Sequence, residues 1–475
     1  MDHKMRKERD SLGEVRVPEK AYYGIQTQRA IDNFPISGLR QHPLMVESMV
    51  LIKKAAALSH YELGRLEKNK KDAVVRACDE ILEGSLRDQF VVDVFQMGAG
   101  TSFHMNCNEL IANRAEEILG GKKGQYRLIH PNDHVNMGQS TNDVFPTSMR
   151  LAALFLLRKK MWGSLKDLKE SFFRKADEFD RILKSGRTHL QDAAPIRLGQ
   201  EFKAYGKALE KSEHFLNHAS KSLLDLGIGG SAVGTGVNTT PGYRKKVVEK
   251  LSDLTGFALN QAEDLREAMQ SMRPFTEIAS ALRNVAVEMV RISNDLRLLS
   301  SGPNTGIAEI KLPSVAPGSS IMPGKVNPSI LEMMNMVGYQ VMGCDTAVMS
   351  AAHAGQLEVN VMMPIISFNI NLSIEILGNA LVQVKKRCVE GIKVNPERAR
   401  AYAESSTGIA AALSPHIGYR KSAEIAKEAL ASNKTIIQVM KEKKLFTEKQ
   451  IKEILDPEKM TEPGVAGQKN RDEDT

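Results

Sequence analysis

Residues 318–328 read Gly318-Ser319-Ser320-Ile321-Met322-Pro323-Gly324-Lys325-Val326-Asn327-Pro328. Pro317, Pro323 and Pro328 exclude regular helix here, while Gly318 and Gly324 permit backbone angles that other residues avoid. The stretch is therefore stiff at some positions and hinged at others, as a closing lid must be. Two adjacent hydroxyls, one cation and one amide lie inside it. An isolated Ser-Ser or Pro-Gly-Lys would read as a plain connector. All of these together, under fixed Gly/Pro punctuation, read as a functional loop.

The flanks are helical. Upstream, between Thr276 and Ser300, Ile278, Leu282, Val285, Met289, Ile292, Leu296 and Leu299 are spaced alternately by four and three. This heptad seam predicts a helix packed lengthwise in a bundle. Downstream, Ile330–Ser350 and Val361–Lys386 also read as helices. The second is apolar on most faces, which predicts burial in a large bundle or at a subunit interface. Toward the N-terminus the pattern is helical from Val46 to about Gly84, from Asn108 to Gly120, from Met149 to about Asp180, and from Leu198 to Leu226. A Gly-rich break at 227–242 follows. Residues 1–50 show no sustained period. Beyond Val394-Asn395-Pro396 come shorter helices, turns and a charged tail, Lys469–Thr475, read as frayed. No stretch alternates like a sheet core. The expected fold is mostly α in three domains: an N-terminal helical domain (1–142), a central long-helix bundle bearing the loop (143–395), and a small C-terminal domain (396–475).

Composition narrows the class. A chain of 475 residues with 42% hydrophobic and 26% charged residues can bury a large core. The net charge is +8, but Lys and Arg are interspersed with Asp and Glu along helices. That describes a solvated mixed-charge surface, not a nucleic-acid footprint, and its modest excess would attract a dianion. Cys78, Cys107, Cys344 and Cys388 are far apart and form no CxxC, so free thiols in a reducing compartment are expected. The N-terminal MDHKMRKERD lacks the apolar core of a signal peptide. No apolar run reaches membrane-spanning length. The expected location is cytoplasmic.

Removing a proton from the carbon beside a carboxylate needs a base, a place for the developing charge, and a grip on the carboxylates. Hydroxyls, loop N–H groups and Lys at helix N-termini supply these. Four segments carry such groups at loop-to-helix junctions. They are Gly98–Glu109 with Thr101 and Ser102; Gln139-Ser140-Thr141-Asn142-Asp143; Gly186-Arg187-Thr188-His189-Leu190-Gln191-Asp192-Ala193; and the 318–328 loop, followed by Glu332. Taken alone, Ser140 and Thr141 read better as helix caps than as ligands. A lone His189 reads as structural more readily than as catalytic.

The 318–328 loop resembles the signature loop of the aspartase/fumarase superfamily without a gap, and the other three segments match that family's blocks in order. The resemblance extends from Ala21-Tyr22-Tyr23-Gly24-Ile25 to Met460-Thr461-Glu462-Pro463-Gly464. It implies elimination from a succinyl-type substrate to release fumarate. Ser319 would be the general base, acting as an alkoxide stabilised by loop N–H groups and a nearby Lys. Lys325 and Asn327, with Thr188, would hold one carboxylate and the aci-carboxylate intermediate. Ser140 and Thr141, with Ser320, would hold the other. Thr101, Asn142 and His189 would surround the leaving group, with Glu332 orienting His189. The resemblance also implies a homotetramer whose sites draw on three subunits. The eleven histidines show no HExxH or other ligand spacing, so no catalytic metal is expected, and no cofactor. In some members a divalent cation acts as an activator.

Thr101-Ser102, Ser140-Thr141-Asn142-Asp143, Ala354-Gly355-Gln356-Leu357-Glu358 and Met460–Gly464 resemble the ammonia-eliminating branch more than the hydratases, so the expected reaction is L-aspartate ⇌ fumarate + ammonia. A fumarate hydratase, or a lyase-like protein recruited for a structural role, is the alternative. His104, Asn304, His353 and Met363 depart from the family pattern. Gly227-Ile228-Gly229-Gly230-Ser231-Ala232 fits a relaxed dinucleotide fingerprint, but it follows a helix and not a strand, so it reads as a turn.

Overall fold

The computed structural model describes residues 4–468; the charged tail 469–475 lies outside the described residues. Its elements are predominantly helical. A hairpin, β1 (Met5–Asp10) and β2 (Gly13–Pro18), precedes α1 (Ile25–Asn33), α2 (Pro43–Glu62) and α3 (Lys68–Leu82). Next come α4 (Thr101–Ile118), α5 (Thr141–Leu156) and α6 (Trp162–Glu178), the last two joined by a wider turn at Leu157–Met161. A second hairpin, β3 (Leu183–Thr188) and β4 (Gln191–Arg197), leads into α7 (Leu198–Ser220). Then follow α8 (Tyr243–Thr255), α9 (Leu265–Gln270), and the long α10 (Arg273–Leu299), α11 (Ser329–His353) and α12 (Met363–Arg387). The last helices are α13 (Pro396–Ser405), α14 (Ser414–Ile417), α15 (Tyr419–Ser432), α16 (Ile436–Lys443) and α17 (Glu448–Ile454).

The heptad seam of α10 is buried throughout: Ile278, Leu282, Val285, Met289, Ile292 and Leu296 have no exposed surface. Burying one such side chain stabilises the fold by about 1.5–3 kcal/mol. Two expectations change. Strands form where none was read: among the described residues there are four two-stranded sheets, two of them hairpins and two of them pairings of two-residue strands from distant segments, all too short to show as alternation in the sequence. The apolar stretch does reach spanning length: Met363–Gly391 is long and apolar enough by composition to cross a membrane. However, 61% of its most apolar window is buried inside the protein. Asn369 and Asn371, on this helix, donate to Ile365 O and Ser367 Oγ, as polar groups in a protein core must.

The chain groups into two compact units. The first comprises Met1–Gly163, Ser212–Ala286 and Val337–Asn379; the second comprises Ser164–Lys211, Val287–Met336 and Ala380–Thr475. Within the second, Ile409, Leu413, Ile425, Ile436, Val439, Met440 and Ile451 form a cluster contributed entirely by the C-terminal helices. The cysteines at 78, 107, 344 and 388 are free thiols and buried.

Candidate active site

The signature loop holds its shape by its own backbone. Gly318 N–H donates to Lys325 O at 2.9 Å, and Asn327 Nδ2 donates to Gly318 O at 2.7 Å, which ties the two ends together. A Cβ at Gly318 would collide with Lys325 O, so only glycine fits, and Gly324 turns the chain at φ +83°. Inside this closure Ser319 Oγ accepts two backbone N–H groups, from Ile321 at 3.3 Å and Met322 at 3.1 Å. Donors aimed at an oxygen favour its anionic form. Ser320 and Lys325 are exposed, and Glu332 lies in the first turn of α11.

Thr188 and His189 sit at the tip of the β3–β4 hairpin. Thr188 pairs with Gln191, so His189-Leu190 is a two-residue turn, and both residues adopt positive φ, +55° and +60°. Asn-Gly is the usual occupant of such a turn; histidine and leucine are strained there. The hairpin base is fixed by buried charge. Glu309 has no exposed surface and pairs with Lys184 at 3.3 Å and with Arg187 at 2.9 Å. Thr188, His189 and Leu190 are exposed, and among the described residues no hydrogen bond or ion pair joins His189 to Glu332. All these groups belong to the second unit.

Thr101, Ser140, Thr141 and Asn142 belong to the first. Ala99 and Gly100 turn the chain with positive φ just before Thr101, and a Cβ at Gly100 would run into the Phe145 ring. That close approach seats the start of α4 against α5. Ser140 is the N-cap of α5: its Oγ accepts from Asn142 N–H at 3.2 Å, and Asp143 Oδ1 accepts from Ser140 N–H at 2.9 Å. The other Asp143 oxygen accepts from Gly229 N–H at 2.9 Å and Ser231 N–H at 3.0 Å, while Asn142 Nδ2 donates to Ala232 O at 2.8 Å. The Gly-rich segment is thus a turn. The N–H groups that a dinucleotide phosphate would require there are engaged by Asp143, whose pKa is pushed up to about 6 by burial against the pull of those donors.

Behind Thr141 lies a group that periodicity conceals. His104 Nδ1 is 2.7 Å from Thr141 Oγ1, and His104 Nε2 is 2.6 Å from Lys53 Nζ. Lys53 has no exposed surface and donates to Asn136 Oδ1 and Gln139 Oε1, each at 2.9 Å. Burial without a contacting carboxylate pushes its pKa down to about 7, and burial beside Lys53 pushes His104 well below the ordinary histidine value. The signal for Lys53 was a lysine in phase with Met45, Met49, Ile52 and Ala56 on the buried stripe of α2. Only His104 stood out in the sequence, as a departure.

The family description "Lyase" matches residues 13–343, and "Fumarase C C-terminus" matches 409–462. The chain belongs to the aspartase/fumarase family of lyases. Similar family members include a protein named aspartate ammonia-lyase from Bacillus sp, 47% identical over 99% of this chain and 100% of that one. Another of that name, from Bacillus subtilis (strain 168), is 46% identical over 97% of each. Among solved members, a class II fumarase from Schistosoma mansoni is 35% identical, with TM-score 0.94 over 96% of this chain and 99% of that one. A fumarate lyase:delta crystallin from Brucella melitensis, bound to cobalt, is 46% identical, with TM-score 0.92 over 97% of this chain and 100% of that one. The mostly α aspartase/fumarase fold is therefore the fold of this lyase.

Proposed function

We infer that the protein is an aspartate ammonia-lyase, a carbon–nitrogen lyase that interconverts L-aspartate with fumarate and ammonia. The observation that carries the chemistry is the Ser319 hydroxyl held over two backbone N–H groups in a self-closed loop. As an alkoxide there, Ser319 takes the Cβ proton. Lys325 and Asn327, with Thr188, hold the carboxylate beside that carbon and the aci-carboxylate it becomes; preorganised charge of this kind is commonly the largest catalytic contribution. Ser140, Thr141 and Ser320 grip the second carboxylate, at the N-terminus of α5 where anions are favoured. Thr101, Asn142 and His189 surround the departing amine, and Glu332 orients His189. The choice of ammonia over water follows the relatives' names and the Thr101-Ser102 and Ser140–Asp143 blocks.

The same reading makes the enzyme a cytoplasmic homotetramer with sites shared between subunits and domains at 1–142, 143–395 and 396–475. Exposed apolar groups support the assembly. Leu190 at the hairpin tip is 71% exposed and Ile321 in the loop 83%. Tyr339 and Met349 face outward along one side of α11, in phase with Gly343 and Thr346. The unpaired thiols accord with a reducing compartment.

Following fumarate by its ultraviolet absorbance, with and without ammonium, tests the reaction. Consumption that requires ammonium is expected. Consumption without it identifies a hydratase, and inertness toward every fumarate-forming substrate identifies a structural relative.

A further inference from the structure

The Lys53–His104–Thr141 chain is absent from the reaction just described, yet it ends on a hydroxyl assigned to the substrate. We propose that Lys53 and His104 form a buried proton relay that decides whether the Thr141 hydroxyl donates to a substrate carboxylate or only accepts. This rests on the reading of Thr141 as a carboxylate ligand, and it makes Lys53 and His104 positioning residues.

Hydrogen-bond bookkeeping leaves two arrangements. Asn136 Nδ2 donates to Gln139 O, and Gln139 Nε2 donates to Val135 O and Met137 O, so both amide oxygens are turned toward Lys53. Two Lys53 N–H bonds are therefore fixed. When Lys53 is an ammonium, its third N–H donates to His104 Nε2. The neutral imidazole then carries its proton on Nδ1 and donates to Thr141 Oγ1, which frees the threonine O–H for an outside acceptor. When Lys53 is an amine, its lone pair accepts from Nε2–H. Nδ1 then accepts the threonine O–H, and Thr141 offers only lone pairs outward. Between the two states one proton passes from Nζ to Nε2, the Nδ1 proton passes to Oγ1, and the original hydroxyl proton leaves to the site. One proton is lost and no bond between heavy atoms changes.

The surroundings let Lys53 exchange that proton near neutral pH. The titratable groups facing it are Cys78 from α3, His104 and Cys107 from α4, and Asp143 from α5. Burial keeps both thiols protonated, pushing Cys107 up to about 12 and Cys78 well above its ordinary value. His104 stays neutral, and Asp143 is engaged by three backbone N–H groups. Binding of a dicarboxylate at Thr141 therefore draws a proton onto Lys53.

Succinate, doubly ionised above about pH 6, is the probe. Calorimetry in buffers of different ionisation enthalpy reads the protons taken up per site. The intact enzyme is expected to take up close to one proton at pH 8.5 and little at pH 6, with affinity falling up to about tenfold per pH unit above 7. Lys53→Met and His104→Asn should remove the uptake and flatten the affinity profile. His104→Asn keeps Lys53 and its two amides, so it carries the test if Lys53→Met does not fold. Thr141→Val should weaken succinate roughly tenfold or more, and Thr141→Ser should restore both binding and uptake. If Thr141→Val binds normally, or succinate does not bind at all, the carboxylate-site reading falls, and the relay with it. If Thr141→Val binds weakly while His104→Asn keeps the intact enzyme's proton uptake, the relay alone is overturned.

Discussion

A serine is a poor base in water, and the case for Ser319 rests on what its oxygen faces. Two loop N–H groups point at it, and Lys325 follows in the same loop. Ser319→Ala should lower turnover by about a thousandfold or more, the scale of losing an activated group, while circular dichroism and assembly stay unchanged. Near-normal activity would mean the base lies elsewhere. If Lys325 grips both the bound acid and its aci-carboxylate, Lys325→Ala should raise KM and lower kcat together. A change confined to thermal stability would make Lys325 structural. Lys53 offers a prediction independent of catalysis. Its folded pKa of about 7 lies far below the value of an exposed lysine. Between those two values the unfolded chain holds a proton that the folded chain has released. Stability should therefore rise with pH from about 7 toward 10, relative to Lys53→Met. Urea denaturation at pH 7 and pH 9 reads it, and equal differences at both pH values would assign Lys53 an ordinary pKa.

At the scale of elements, two small devices on a helical frame carry part of the candidate site. The β3–β4 hairpin holds His189 at positive φ, and that strain persists only because the base is over-determined by Lys184, Arg187 and Glu309. Glu309→Ala would leave two cations without their shared carboxylate, although Lys184 keeps Glu201 at 3.2 Å. A loss of about 3–5 kcal/mol is expected in chemical denaturation, together with loss of turnover as the turn relaxes. Stability within 1 kcal/mol of the parent would show that the cluster does not brace the hairpin. The signature loop is held by fewer bonds. Gly318→Ala would break its closure, so turnover should collapse while the melting temperature barely moves.

For the whole molecule, the assembly prediction is the sharpest. Tyr339→Asp combined with Met349→Asp places two charges on the outward side of α11, where Tyr339 is 58% and Met349 59% exposed in the single chain. If the sites are shared between subunits, light scattering should give four chains for the parent and fewer for the variant, and activity should fall in step with dissociation. An active monomer would remove the shared-site reading. Single Asp substitutions at such a face are expected to be additive only if the two residues do not contact the same partner groups.

Patterns local in sequence were legible before any coordinates. The α10 seam is a repeat of four and three, so its burial could be read residue by residue, and the Gly/Pro spacing of 318–328 excludes everything except a loop. The family blocks likewise pointed to Ser319, Lys325 and His189 as candidates. What needed tertiary structure was whatever depends on contacts between distant segments. The Gly-rich turn became a clamp on Asp143 only through residues 86 and 88 positions apart. Lys53 meets His104 across 51 positions, and Asn136 and Gln139 across more than 80. On a helix, one lysine in an apolar stripe has the same sequence signature whether its ammonium reaches water or ends in a dry pocket. Only the packing of α2 against α4 and the turn before α5 decides that, because the cost of burying a charge depends on which groups surround it and not on where it lies along the chain.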